Sequence, residues 1–150
     1  MLQKIKSAAE FIRAAGGENP EVGVVLGSGL GGFADAMEGP AVIPYADIPG
    51  FPKPTTPGHA GRLCLGSIED MPCILMQGRY HYYEGYSMQA VTFPVRVMAQ
   101  LGVKTLILTN ASGGMDESFE VGEVVLISDH INLSGNNPLI GKNVDKQGVR

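Results

Sequence analysis

The amino-acid sequence predicts an α/β fold with a mixed central sheet flanked by helices. Stretches of helical periodicity alternate along the chain with short apolar runs, which is the pattern of this class. Glycine-bearing loops at residues 27–32, 58–61 and 110–115 follow or adjoin those runs. Ligand sites of open α/β sheets collect at the carboxyl ends of strands, so we expect these loops to converge on one site. The 150 residues are enough for a hydrophobic core, and we expect residues 1–150 to form a single domain.

The first third of the chain predicts one helix, one strand and a long loop. Apolar residues at helical spacing predict a helix over residues 2–15, which Gly16 ends. Residues 21–26 form an apolar strand, and residues 33–37 form a brief helical piece after the first glycine loop. Residues 40–58 carry six of the ten prolines, which predicts a long ordered loop without regular structure.

The middle of the chain predicts a β-hairpin. Its strands are residues 62–68 and 72–77, and its turn is centred near Asp70. With that turn, we expect Cys64 and Cys73 to lie neither opposite each other nor on one face. A disulfide is therefore not expected, and both cysteines are interpreted as small buried apolar side chains.

A helix and two more strands complete the predicted elements. Ser87 caps a helix that runs to Leu101, and Pro94 should kink it. The continuous apolar run at residues 104–109 predicts a strand covered on both faces. Residues 123–128 predict another apolar strand.

Charge and composition exclude several classes of function. The formal net charge is -4 and no cluster of Lys and Arg is present, which argues against a nucleic-acid surface. Lys4, Lys6, Glu10 and Arg13 interrupt the N-terminus where a secretory signal needs an apolar run. No apolar stretch approaches the length of a membrane span, so we expect no membrane partner and a cytoplasmic protein.

Residues 76–85, with the sequence MQGRYHYYEG, are the strongest functional signal. Arg79 and His81 stand two residues apart, so on an extended segment they point to the same side. A planar guanidinium and an imidazole together make a phosphate clamp. Taken alone, Arg79 is explained by a salt bridge to Glu84 or to another acid, and His81 by a structural hydrogen bond. The two together, beside Tyr83 and Glu84, favour a site.

The loop at residues 27–32 matches the G-x-G-x-x-G pattern of dinucleotide-binding proteins. The short helix after it and the proline-broken segment before Asp47 argue against that interpretation. Two interpretations remain open: a packing turn, or a loop whose N–H groups and Ser28 hydroxyl hold a small anion. His59 is either a mobile donor or an exposed loop residue. No set of His, Cys and carboxylates has metal-ligand spacing, so we predict no metal site.

Five blocks of the chain together resemble the trimeric, low-molecular-mass purine nucleoside phosphorylases. They are residues 23–33, 57–63, 78–86, 105–115 and 128–143. The resemblance covers nearly all of the chain from residue 20 onward. It implies a phosphorylase/hydrolase-like fold, a homotrimer, no cofactor, and cleavage of purine nucleosides by inorganic phosphate to give the free base and ribose 1-phosphate.

The resemblance also implies roles for individual residues. Tyr83 would line the ribose, and His81 and Glu84 would be the catalytic residues, Glu84 by orienting the phosphate network. The residues that would bind phosphate are Ser28, His59, Arg79, Tyr80, His81 and Ala111.

The resemblance implies as well that the chain is the N-terminal half of such an enzyme. The groups that read the purine base lie in the family's second half, so we expect an incomplete domain, truncated before its C-terminal part. The base preference stays undetermined. The alternatives are a methylthioadenosine phosphorylase, which shares most of these blocks, and a non-catalytic phosphate-binding fragment.

Overall fold

Five strands form one sheet in the computed structural model, which describes residues 1–16, 19–52 and 61–141. In chain order the strands are β1 Val22–Leu26, β2 Glu38–Pro44, β3 Arg62–Ile68, β4 Met71–Gln77 and β5 Thr105–Leu108. Their spatial order is β2-β3-β4-β1-β5. β1 is parallel to β4 and β5, whereas β3 is antiparallel to β2 and β4. The predicted mixed sheet is confirmed.

The hairpin of β3 and β4 turns through two residues in the left-handed region. Ile68 pairs with Met71, and Glu69 and Asp70 have φ of 48° and 61°. Positive φ at both central residues defines the type I′ turn, whose twist matches that of the flanking strands. The turn therefore fixes the register of the hairpin.

That register corrects the sequence expectation for the two cysteines. Cys64 pairs with Leu75 and Cys73 pairs with Gly66, and residues directly opposite in a ladder point to the same face. Cys64 and Cys73 therefore share one face as diagonal neighbours; the prediction that they lie on different faces was wrong. Both are buried and free in the structure.

The helices are α1 Leu2–Ala14, α2 Met88–Val91 and α3 Phe93–Leu101. The Ser87 hydroxyl caps α2 by accepting from the Ala90 N–H at 3.2 Å, and Gly102 ends α3 with φ of 109°. The predicted single helix breaks at Thr92, because Pro94 lacks the N–H that would continue the helical ladder. Among the described residues, no helix is long and apolar enough to span a membrane.

Apolar side chains cover both faces of the sheet. The larger cluster packs α1 and α3 on one face, and its fully buried members include Ile5, Ile12, Leu63, Ile74 and Leu101. The smaller cluster lies on the other face below the 3-10 turn Gly31–Ala36, which replaces the brief helical piece predicted there. Burial of one such aliphatic side chain contributes about 1.5–3 kcal/mol.

The proline-rich segment forms more regular structure than its composition predicts. β2 includes Pro40 and Pro44, and a 3-10 turn follows at Tyr45–Asp47. β2 lies at the edge of the sheet and pairs with β3. An edge strand tolerates proline, because an N–H that points away from the sheet has no hydrogen bond to lose. The expectation of a loop without regular structure is therefore wrong for residues 40–47. Residues 48–52 form no helix or strand, and residues 53–58 lie outside the described residues.

The chain divides into two compact units, Met1–Ala111 and Ser112–Arg150. In the first unit β5 is at the sheet edge, and Leu108 is 66% exposed. The prediction that this strand is covered on both faces is thus wrong for the described residues.

The described part of the second unit contains local turns and no helix or strand. Its hydrogen bonds are short in sequence, such as the pair from the N–H and hydroxyl of Ser118 to Asp116. Residues 123–128 form no strand, contrary to prediction, because a strand needs a hydrogen-bonded neighbour and no described residue pairs with this run.

Candidate functional site

The carboxyl ends of three strands meet at one edge of the sheet. β1 is parallel to both neighbours, with Leu26 opposite Gln77 and Val25 opposite Leu108. The glycine loop after β1, the polar segment after β4 and the loop after β5 therefore begin side by side. β3 also starts at this edge, because Arg62 pairs with Gln77. The loops at residues 27–32 and 110–115 therefore start from neighbouring strands, as predicted, whereas residues 58–60 lie outside the described residues.

The glycine loop begins with a close approach that excludes a side chain. The Gly27 N–H donates to the Thr109 hydroxyl at 2.7 Å. A Cβ on Gly27 would stand 2.6 Å from the Thr109 carbonyl oxygen and 2.7 Å from Arg79 Nη1. Ser28 follows in an exposed turn closed by the Leu30 N–H on the Gly27 carbonyl at 3.1 Å. The glycine is thus required by the site.

Arg79 is held through one arm of its guanidinium. Nη1 donates to the Thr109 carbonyl at 2.9 Å, and the side chain is partly exposed. Between described residues the one ion pair joins Lys104 and Glu21 at 3.2 Å, so the salt bridge of Arg79 to Glu84 is not formed. The bond to a neutral carbonyl orients the guanidinium without neutralising it, which leaves positive charge for an anion.

His81 begins a tight 3-10 turn, Tyr82–Glu84. Glu84 Oε2 accepts from the His81 main-chain N–H at 2.7 Å, and Gly85 ends the turn with φ of 90°. The His81 and Tyr83 rings stack with centroids 4.6 Å apart and an interplanar angle of 19°. Tyr83 is 82% exposed, so its other face is open to a ligand. The hydrogen bond from the His81 N–H to Glu84 fixes the main chain that carries His81.

Tyr80 belongs to the core rather than to the site surface. Its side chain is 6% exposed, and its hydroxyl donates to the Pro52 carbonyl at 3.0 Å. Burial raises the pKa of its phenol well above the ordinary value. Any contact of Tyr80 with an anion therefore comes from its main chain.

Two anchors of the site were missed in the sequence. Tyr45 donates its hydroxyl to the Gly78 carbonyl at 2.6 Å, immediately before Arg79, and burial raises the pKa of Tyr45. Gln77 accepts from Arg62 Nε and donates to the Gly31 carbonyl at 2.8 Å. Tyr45 stands in a proline-rich stretch with no pattern to single it out. The polar Gln77 at the end of an apolar strand was a usable signal.

The structure describes Ala111 but not His59. Ala111 lies just beyond β5 and is exposed, and within the described ranges nothing accepts from its N–H. His59 lies outside the described residues. No group of three or more His, Cys, Asp and Glu in the described part of the chain could hold a metal ion.

A surface cavity of about 250 Å³ lies at the opposite end of the sheet. Ser67 at the end of β3 and Pro72 and Cys73 at the start of β4 line it. Because β3 and β4 are antiparallel, that end is a strand length away from Arg79. The cavity is separate from the candidate site.

The family model of the phosphorylase superfamily matches residues 21–150. The chain belongs to the phosphorylase superfamily. The chain is 56% identical over 146 residues to purine nucleoside phosphorylase 1 of Geobacillus stearothermophilus. That match covers 97% of the chain and 53% of the relative. It is 51% identical over 145 residues to purine nucleoside phosphorylase of Rattus norvegicus, covering 95% of the chain and 50% of the relative.

Solved structures of the superfamily have the same fold as this chain. Isoform 2 of purine nucleoside phosphorylase from Schistosoma mansoni, in complex with cytosine and ribose-1-phosphate, matches with a TM-score of 0.89 and 44% identity. That match covers 96% of the chain and 52% of the solved structure. The chain thus spans about half the length of the relatives it matches.

Proposed function

We propose that this chain carries the phosphate site and part of the ribose site of a purine nucleoside phosphorylase. The reaction would be cleavage of purine ribonucleosides and deoxyribonucleosides by inorganic phosphate. The observation that carries the proposal is the meeting of the glycine loop, Arg79 and the end of β5 at Thr109. Membership of the superfamily and relatives named for this activity support it.

The reaction requires a well-placed nucleophile more than a strong one. A phosphate oxygen forms a bond to C1′ while the bond from C1′ to the base nitrogen breaks, and the base leaves with that electron pair and takes a proton. Positive charge develops on the sugar as the base departs, as in other glycosidic cleavages. A phosphate dianion held below the sugar stabilises that charge and captures C1′. The protein's task is positioning and electrostatic stabilisation.

The proposed phosphate contacts suit that task. The guanidinium of Arg79 presents a fixed fork of N–H donors, so it would bind the dianion through charge and hydrogen bonds without a proton transfer. The Ser28 hydroxyl and the Ala111 N–H are neutral donors on the two flanking loops. Together they would surround one phosphate from three sides with groups that need no rearrangement.

The 3-10 turn supplies the remaining roles. His81 would donate to the phosphate, and Glu84 would orient it through the hydrogen bond to the His81 N–H. Tyr83, stacked on His81, would cover the ribose and exclude water, which favours phosphorolysis over hydrolysis. His59 and the Tyr80 main chain complete the proposed phosphate set.

The proposal includes a homotrimer without a cofactor, acting in the cytoplasm. Two free buried thiols are consistent with a reducing compartment. Inorganic phosphate is the co-substrate, and the purine nucleoside is the partner.

Phosphorolysis of inosine by the purified chain tests the proposal. We expect phosphate-dependent release of hypoxanthine that Arg79→Ala abolishes. Arg13→Ala is the matched control, because that guanidinium also donates to a carbonyl, Gln100 at 2.7 Å, but lies on α1. Equal turnover by the Arg79→Ala chain would contradict the proposal. Methylthioadenosine used in place of inosine separates the related phosphorylase.

A second candidate is a non-catalytic phosphate-binding protein. It needs only the anion-binding part of the arrangement, which is the Arg79 guanidinium oriented by the Thr109 carbonyl. Phosphate binding that depends on Arg79, without turnover of any purine nucleoside, would support this candidate. Absence of both binding and turnover would contradict both candidates.

A further inference from the structure

Thr109 lies where the three segments of the candidate site meet. Its hydroxyl accepts from the Gly27 N–H at 2.7 Å and donates to the Val25 carbonyl at 2.9 Å. Its main-chain carbonyl accepts from Arg79 Nη1 at 2.9 Å. Its N–H donates to the Val25 carbonyl at 3.2 Å. One residue thus contacts the end of β1, the glycine loop and the arginine.

These contacts differ from the continuation of a regular parallel ladder. β1 and β5 pair in register up to Val25 and Leu108, and the Thr109 N–H on Val25 extends that ladder by one bond. The next bond of a parallel ladder would run from the Gly27 N–H to the Thr109 carbonyl. Gly27 donates to the Thr109 hydroxyl instead. The hydroxyl replaces the carbonyl as acceptor, and the carbonyl becomes available to Arg79.

We propose that Thr109 is a positioning residue whose hydroxyl takes over the ladder bond of Gly27 so that its carbonyl can orient the Arg79 guanidinium. This inference rests on the proposed phosphate site. The absent side chain at Gly27 is the second half of the arrangement, because a Cβ there would collide with both the Thr109 carbonyl and Arg79 Nη1. Without the hydroxyl, the Gly27 N–H would compete with Arg79 for the same carbonyl oxygen.

Two variants of Thr109, one without the hydroxyl and one with it, test this role. Thr109→Val has nearly the same shape and no hydroxyl, whereas Thr109→Ser keeps the hydroxyl and loses a methyl group. Thr105→Val is the matched control, since it makes the same chemical change at the start of β5, at the other end of the strand. Phosphate affinity is measured by titration calorimetry for the 150-residue chain and each variant.

We expect Thr109→Val to weaken phosphate binding about tenfold, which corresponds to one hydrogen bond. Thr109→Ser should restore affinity to within about threefold, and Thr105→Val should bind like the unmodified chain. Rescue by serine separates positioning by the hydroxyl from simple packing. Unchanged affinity in Thr109→Val, or equal losses in the valine and serine variants, would overturn the inference.

Two further measurements on the unmodified chain test the inference. If Thr109→Val does not fold, hydrogen exchange of the Gly27 amide in the unmodified chain decides: strong protection supports the bond to the hydroxyl, and exchange at the rate of an open loop overturns it. Absence of phosphate binding by the unmodified chain would contradict the proposed function itself. Normal binding with an unaffected Thr109→Val variant would contradict the positioning role alone.

Discussion

The Tyr45 hydroxyl donates to the Gly78 carbonyl at 2.6 Å, across 33 positions of sequence. Gly78 adopts φ of 103°, which reverses the chain after β4 and directs Arg79 toward Thr109. The buried phenol therefore connects the core to the start of the candidate site. Its ring also packs on Tyr80 with centroids 5.5 Å apart.

We expect Tyr45→Phe to destabilise the chain by about 1–3 kcal/mol, because the partly buried Gly78 carbonyl loses its partner. Phosphate affinity should fall with it, since the bend before Arg79 loosens. Urea unfolding and a phosphate titration measure the two effects. Tyr83→Phe, which alters an exposed phenol, should leave the free energy of unfolding unchanged. A Tyr45→Phe chain as stable as the unmodified one would contradict this role.

Gly27→Ala should abolish phosphate binding. The added Cβ would stand 2.6 Å from the Thr109 carbonyl, so the two loops must move apart. Gly32→Ala is the control within the same loop, because the nearest described atom to its Cβ would be Asp35 Oδ2 at 3.9 Å. Binding is measured by titration and folding by circular dichroism. If both variants bind equally well, the close approach at Gly27 has no part in the site.

Glu84→Ala should weaken phosphate binding about tenfold while the fold survives. The carboxylate accepts from the His81 N–H at 2.7 Å, and a hydrogen bond to a charged group contributes about 1.5–3 kcal/mol. Loss of that bond frees the turn that carries His81. Glu10→Ala on the exposed face of α1 is the control. An affinity loss no greater than that of Glu10→Ala would show that the turn holds without its acid.

Stability should decline as pH rises above about 9. Burial raises the pKa of the Cys64 and Cys73 thiols above the ordinary value of 9.0, so the unfolded chain releases these protons at a lower pH than the folded chain does. The unfolded state then binds fewer protons, and the free energy of unfolding falls from about pH 9 up to the folded pKa. Urea unfolding between pH 7 and 10 measures the slope.

The double variant Cys64→Ala/Cys73→Ala is the control for that slope. Without the thiols, the pH dependence between about 9 and 10 should be shallower. The phenols of Tyr45 and Tyr80, whose pKa values burial also raises, act at higher pH. Identical slopes with and without the cysteines would contradict the assignment.

Local patterns in the sequence were sufficient for α1, for the hairpin of β3 and β4, and for the helical segment after Ser87 apart from its break at Thr92. Each of these elements is indicated by a periodicity or a capping residue within a few positions of the element itself. β2 was missed because prolines usually exclude a strand, and its edge position is a property of the sheet. We expected β5 to be covered on both faces and residues 123–128 to form a strand. Both expectations depend on neighbouring elements, and an apolar run does not show which elements will lie beside it.

The candidate site was predicted in part for the same reason. Arg79, His81 and Glu84 were visible as charged residues crowded into one segment, and the glycine loops as composition. Thr109 and Tyr45 were invisible, because their importance lies in partners 82 and 33 positions away. A hydroxyl at the end of an apolar run carries no local sign of the loop that it will contact.

A titration of the 150-residue chain with inorganic phosphate, followed by ³¹P NMR, tests the central claim most directly. We expect saturable binding by the unmodified chain and by Arg13→Ala, and a loss of at least about tenfold in Arg79→Ala. Arg79→Lys should fall between them, because lysine keeps the charge without the planar fork. No saturable binding by the unmodified chain, or equal binding by Arg79→Ala, would contradict the phosphate site.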